Sequence, residues 1–301
     1  MKKSVFVQQN GSECDFNNSD SWVILSPIEQ SIKRKIEAVG TPLKDWDIQI
    51  NYGIKTGFND AFIISTEKRN EILANCQTED ERTRTAELIR PILRGRDIKR
   101  YGYDWANLWL INTHNGIKGK VPRIHIEDYP AVKAHLDQYW DKISKRADKG
   151  DTPYNLRNCA YLEDFNLPKI VWGEISDRSK FAYEEKGIFI PEATTFLMVG
   201  KGLAYLLCVL NSPLSEWFFS KIGTTTGVGT VRWKKFTIQE LLIPNTGIQI
   251  LQQFDCLVGK YIKKEMSLKQ LSSHANQILY KIVGLTEDEI LYVENFYPPI
   301  L

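Results

Sequence analysis

The stretch Asn51-Tyr52-Gly53-Ile54-Lys55-Thr56-Gly57-Phe58-Asn59 sets a lysine and a threonine between two glycines. Gly53 and Gly57 permit positive φ, so the Lys-Thr tip can turn sharply. An ammonium, a hydroxyl and free backbone N–H groups then meet at one point, which suits a phosphate oxygen. Lys55, Thr56 and Asn59 are the candidate ligands. An ordinary hairpin turn reads the same way in sequence, so the other polar stretches have to decide.

Two of them carry related chemistry. From Arg82 to Arg123 there are ten Lys/Arg against three Asp/Glu. The centre of this basic block is Ile92-Leu93-Arg94-Gly95-Arg96-Asp97-Ile98-Lys99-Arg100-Tyr101. Arg94 and Arg96 offer two guanidinium forks across a glycine, fit for successive phosphates or a guanine edge. Lys99 and Arg100 extend the charge, and Tyr101, Tyr103 and Trp105 follow directly. The alternative is a solvated face with its acidic partners elsewhere. The second stretch runs from Thr224, Thr225 and Thr226 through two glycines to Arg232, Trp233, Lys234 and Lys235. Its small hydroxyl residues contribute little to a core; with the arginine, lysines and tryptophan it reads as a second ligand-facing loop.

Catalytic patterns are missing. No phosphate-cradling glycine motif, nucleophile elbow or zinc spacing occurs. Glu184-Glu185-Lys186, with Asp177 upstream, has the form used by metal-dependent nucleases, but it falls at a hairpin tip, and such a site needs enclosed, convergent carboxylates. The cysteines number five, widely spaced and without C-x-x-C, which indicates neither disulfides nor zinc. His114 reads as a solvated loop histidine. The sequence suits a binding module better than an enzyme.

The elements that would position these loops follow from local patterns. Ser26-Pro27 opens a helix carrying Ile28, Ile32 and Ile36. Ala61–Ile64 reads as a strand. Glu79–Arg90 is helical and stops before Pro91. Trp109–Asn112, Lys169–Gly173 and Thr194–Val199 read as strands, and 180–190 as a hairpin turning at Glu185–Gly187. Tyr129-Pro130 opens a helix, and Leu203–Leu210 is a buried one. Leu241–Pro244 closes the region as a strand. After Gly247 an apolar stripe at Leu251, Phe254, Val258 and Tyr261 resumes at Leu268, Leu271 and Ala275: a long helix or helical pair. Thr286 caps a last helix that begins with acidic residues. The fold class is therefore α+β, with mixed, largely antiparallel sheets, packed helices and a C-terminal helical segment. The expected division is a polar segment 1–20, a main domain 21–246 and a helical segment 247–301.

The chain has 301 residues, a hydrophobic share of 43% and a net charge of only +2, so charge distribution rather than bulk charge marks a partner. No run of eighteen apolar residues and no leader-like start are seen, so a cytoplasmic protein without membrane association is expected.

In this order, these segments resemble the TaqI-like C-terminal specificity domain, the target recognition domain of adenine-specific DNA methyltransferases and type IIG restriction-modification enzymes. The resemblance rests on Gly53–Phe62 and Ile92–Tyr101. It continues through Tyr129-Pro130 with His135-Leu136, Arg146 to Arg157, Lys169-Ile170-Val171, Leu210–Pro213 and Ile243-Pro244, covering roughly residues 20–250. Pro153-Tyr154 supplies one aromatic where the family usually has two. The methyltransferase motif Asn-Pro-Pro-Tyr is absent; the nearest string is Tyr297-Pro298-Pro299-Ile300. The resemblance implies double-stranded DNA as partner, a methyltransferase or nuclease domain or subunit as the catalyst, and no cofactor in this chain. S-adenosylmethionine and magnesium would belong to a parent enzyme. Two other readings stay open: a protein-interaction module docking on a methyltransferase subunit, and a nuclease using Asp177, Glu184 and Lys186.

Overall fold

The computed structural model describes residues 25–222, 224–225 and 231–296, with the backbone alone at 224–225. The polar segment 1–20 and Thr226 therefore lie outside the described residues, as do the side chains of Thr224 and Thr225. The chain divides into two compact units. One comprises Asp47–Leu203 and Thr225–Lys235; the other comprises Met1–Trp46, Ala204–Thr224 and Phe236–Leu301.

The first unit is built on two four-stranded sheets. One is antiparallel throughout, in the order Ile48–Tyr52, Thr195–Gly200, Lys169–Gly173 and Phe181–Glu184. Its two inner strands are buried along nearly their whole length, as near-continuous apolar runs with no polar face require. The other sheet runs Ile63–Ser65, Leu108–Ile111, Ile89–Leu93 and Ile190–Pro191, antiparallel except for the last pair. Phe62, Ile92, Leu93, Leu110, Val132 and Leu156 are wholly excluded from solvent in the core that both sheets share. The class is the α+β arrangement that the sequence implies.

Three local expectations give way to tertiary context. Ala61 and Phe62 finish a short helix, Asn59–Phe62, and the strand begins only at Ile63. The helix from Glu79 ends at Leu88, and Pro91 lies inside a strand. Residues 180–190 form no hairpin: Phe181–Glu184 pairs with Lys169–Gly173, whereas Ile190–Pro191 crosses to run parallel to Ile92–Leu93. Arg90 holds that crossing by donating to the carbonyls of Gly187 and Ile188 and to Asn166 Oδ1.

The second unit is mainly helical. Pro27–Val39 starts at Ser26, whose hydroxyl accepts from Glu29 N–H while the Glu29 carboxylate accepts from Ser26 N–H, a reciprocal cap. Pro213–Ile222 packs against Glu287–Phe296. The C-terminal stripe resolves into two helices, Ile248–Ile262 and Leu268–Val283. They break where Lys264 takes a left-handed φ of 62° and Ser267 starts a fresh capping box. An antiparallel pair, Gly40–Pro42 with Leu242–Pro244, accompanies the helices. No helix among the described residues is long and apolar enough to cross a membrane.

Glu29 makes this unit acid-sensitive. Burial by itself would raise its carboxyl, but Lys221 Nζ at 2.6 Å, together with Ser26 and Tyr292, holds it at about 2 against an ordinary 4.5. A carboxyl lowered by folding contributes stability that is complete above its unfolded value and is lost as the pH falls through the folded one. The unit should therefore lose about 1–3 kcal/mol as the pH falls from about 5 to about 2. Urea titrations across that window should show a flatter pH dependence for Glu29→Gln than for the wild type.

Candidate nucleic-acid interface

Two of the basic loops are tied directly to one turn, Glu192–Thr195, within the first unit, and the third reaches it through Glu174. Gly53 N–H donates to Thr195 O at 2.8 Å and Ile54 N–H to Pro191 O at 2.8 Å. Glu192 N–H donates to Leu93 O at 2.8 Å, which fixes the residue before Arg94. Glu174 N–H reaches Thr194 O at 3.0 Å, and Trp233 N–H reaches Glu174 O at 2.8 Å. A glycine makes the first of these approaches possible. A Cβ at Gly53 would lie 2.1 Å from Glu192 O, whereas one at Gly95 would meet Gly173 Cα at 3.5 Å and Thr194 Oγ1 at 3.6 Å, ordinary contact distances. Gly53 thus serves close approach. Of the two glycines in this loop, only Gly57 takes positive φ, at 71°.

In the first loop Lys55 is exposed, with Asp148 Oδ2 4.0 Å away across solvent. So loose an exposed pair contributes little and leaves the ammonium available to a phosphate. Thr56 is 2% exposed, and its hydroxyl donates to Asn59 Oδ1 at 2.5 Å. That bond shapes the turn instead of presenting a hydroxyl to solvent; Asn59 itself is exposed. The unexpected residue here is Arg146. It is 7% exposed and donates to four carbonyls, those of Thr56, Asp148, Pro153 and Asn155. Its guanidinium lies 4.5 Å from the Phe62 ring centroid, and burial pulls it down to about 10, with Asp148 opposing. In sequence Arg146 stands among lysines and aspartates in a polar loop, with no signal of burial.

The Arg-Gly-Arg motif divides its labour. Arg94 closes a two-point pair on Asp97, with Nε to Oδ2 at 3.0 Å and Nη2 to Oδ1 at 2.7 Å; the Arg94 N–H also donates to Oδ2 at 2.9 Å. Asp97 is buried and sits in the 3₁₀ turn Gly95–Asp97, so this charge-assisted fork folds the turn. Arg96, at the middle of that turn, is exposed. Lys99 is exposed too, with Asp104 a loose 3.9 Å away, while Arg100 is half-buried. The aromatics that follow turn inward. Tyr101 is 2% exposed, and Tyr103 and Trp105 both pack on Phe189.

Of the third loop, Val231-Arg232 pairs with Ile175-Ser176. Arg232 faces Glu174 at 3.5 Å, Lys234 is half-buried, and Lys235 Nζ donates to Ile50 O at 2.5 Å. Trp233 is buried, and its carbonyl accepts from Trp172 Nε1 at 2.9 Å.

The carboxylates of the nuclease pattern are each engaged by a lysine. Glu184 is buried against Lys169, at 2.6 Å, and Asp177 pairs with Lys180. Among the described residues no group of three or more His, Cys, Asp or Glu side chains could hold a metal.

Known proteins resemble this chain in sequence and fold. Type II methyltransferase M.PaeR7I of Pseudomonas aeruginosa is 21% identical over 281 residues, covering 91% of this chain and 44% of the relative. Type II methyltransferase M.BanIII of Aneurinibacillus aneurinilyticus is 26% identical over 150 residues, 47% of this chain and 24% of the relative. The chain thus spans less than half the length of these curated relatives. Among solved structures, the Type IIL restriction-modification enzyme MmeI in complex with DNA superposes with a TM-score of 0.54 at 12% identity, covering 87% of this chain and 34% of that one. The type IIG restriction endonuclease BpuSI gives 0.51 at 14%, covering 88% and 33%. At these identities the superpositions speak to fold. The family model of the TaqI-like C-terminal specificity domain matches residues 90–243, more than half of the sequence, and the chain belongs to that family.

Proposed function

We propose that this chain recognises a specific sequence in double-stranded DNA, as the specificity part of a cytoplasmic restriction-modification enzyme. The observation that supports the reading most is the attachment of two cation-bearing loops to the turn Glu192–Thr195, and of a third to it through Glu174, in a member of this family. Lys55, Lys99 and Lys234 hold phosphates and set register; Arg96 and Arg232 reach for base edges. Thr56, Arg94 and Lys235 act through the loops they fold, Asn59 borders the first loop, and Arg100 lies beside the second. Thr224, Thr225 and Thr226 precede the third loop in sequence and are assigned to phosphate oxygens by residue type alone. Adenine methylation and cleavage belong to other parts of a type IIG-like enzyme, in a domain or subunit that would carry S-adenosylmethionine and magnesium.

The test is selection of duplexes from a randomised pool by the purified chain. The expected result is enrichment of a short common motif. Binding without any sequence preference, or no binding, contradicts the proposal.

A further inference from the structure

The antiparallel sheet lines up one aromatic from each of its four strands. Tyr52 stands opposite Phe196, Phe196 opposite Trp172, and Trp172 opposite Phe181. The successive ring centroids are 5.0, 5.4 and 5.4 Å apart. Trp233 closes the far end, edge-on to Phe181 at 5.6 Å. Every member except one is buried: Phe196, Trp172, Phe181 and Trp233 are at most 4% exposed, whereas Tyr52 is 52% exposed.

A single exposed tyrosine means little. This one differs in three ways. It is the end of a continuous row of rings, so packing against Phe196 orders it before any ligand arrives. It sits one residue before Gly53 and three before Lys55, on the loop tied to Glu192–Thr195. Lys235 reaches the carbonyl of Ile50, two residues back on the same strand. The ring thus stands at the end of a strand that Lys235 tethers, immediately before the loop that carries Lys55. An ordered aromatic face that leads into a cation-bearing loop is the composition that holds a nucleobase while its phosphates are neutralised. In the reading above the cations take phosphates, which leaves a base face as the group that a ring can take.

We propose that Tyr52 is a nucleobase-stacking residue, which takes the face of a base at a step that the bound duplex opens. Opening a step costs stacking energy, and an aromatic side chain that covers the exposed face offsets it. The proposal rests on the DNA-binding reading above.

The experiment uses the whole chain and a duplex that the wild type enriches from the randomised pool. Tyr52→Leu keeps an apolar side chain against Phe196 but removes the π face, and Tyr52→Phe keeps both. Affinity should fall about 5- to 100-fold in Tyr52→Leu and return in Tyr52→Phe. The slope of log affinity against log salt should not change in either, because every phosphate keeps its cation. Thermal unfolding of both variants checks that the fold persists. Should Tyr52→Leu unfold, photo-crosslinking of the wild type to the same duplex carrying 5-iodouracil in place of thymine reads the stacking directly, and Tyr52 should be a crosslinked residue. Full affinity in a folded Tyr52→Leu, or crosslinks only elsewhere, overturns the stacking role and leaves DNA binding intact. Failure of the wild type to enrich any duplex removes the DNA reading and this inference with it.

Discussion

Replacing Arg146 with alanine should both destabilise the first unit and weaken duplex binding at least tenfold. The guanidinium is the common donor for the carbonyls of Thr56, Asp148, Pro153 and Asn155. Hydrogen bonds from a charged group contribute more than neutral ones, and carbonyls left unpaired in a buried site keep their desolvation penalty. The loss of all four, together with the cavity beside Phe62, should cost roughly 3–5 kcal/mol, in the range found when a buried charge network is broken. The binding loss follows because Thr56 is adjacent to Lys55: without the tether the ammonium must be ordered at each encounter. Arg146→Lys should recover little, since one ammonium cannot reproduce a planar fork spanning four acceptors. Urea unfolding measures the first effect and duplex titration the second. A stability change below about 0.5 kcal/mol, as at an ordinary surface site, would contradict this assignment.

The second large effect concerns Lys169 and Glu184. Their side chains are 0% and 1% exposed, with Nζ 2.6 Å from Oε2. Lys169 also donates to the carbonyls of Phe165 and Leu167, and Glu184 Oε1 accepts from Lys186 N–H. Burial pulls the ammonium below its usual range while Glu184 opposes that shift. Removal of either partner leaves an uncompensated buried charge, so Lys169→Met and Glu184→Leu should each cost about 3–5 kcal/mol. The double variant should recover a good part of that, because the attraction barely exceeds the desolvation of two ions; recovery is partial, as the carbonyls of Phe165 and Leu167 lose their donor. Double-mutant cycles from denaturant midpoints measure the coupling. Were Glu184 instead a metal-binding carboxylate, Glu184→Leu would relieve charge repulsion and raise stability, and that outcome would refute a structural pair.

What the sequence makes legible divides along physical lines. Local signals hold where a residue's role is set by its chain neighbours. Ser26-Pro27 with Glu29 forms the capping box, Thr286 starts the last helix, and the apolar run of Thr195–Gly200 forms a central strand. They fail where a distant partner decides. Glu184 looks like a soluble hairpin tip until Lys169 is placed opposite it in the sheet. Ile190 looks like a hairpin's return strand until Ile92 captures it in parallel. At the candidate interface the loops are legible from composition, but the division of labour within them is not. Arg94 and Arg96 are the same residue two positions apart; only the buried carboxylate of Asp97 separates a fold-maker from an exposed cation. Gly53 reads as a φ-permissive turn residue, whereas the approach of Glu192 O is what excludes a side chain there. Arg146 gives no local signal, since its acceptors are backbone carbonyls and carry no side-chain signature.

The central claim, that loops joined at Glu192–Thr195 present one phosphate-binding surface, is most directly tested by salt dependence. The measurement is the affinity of the chain for an enriched duplex across a salt series, beside that of a Lys55→Ala/Lys99→Ala/Lys234→Ala variant. If the three ammonium groups neutralise phosphates together, the slope of log affinity against log salt should shrink by about 2 to 3, roughly one for each lysine removed. An unchanged slope in the variant, with affinity equal to that of the wild type, would contradict it.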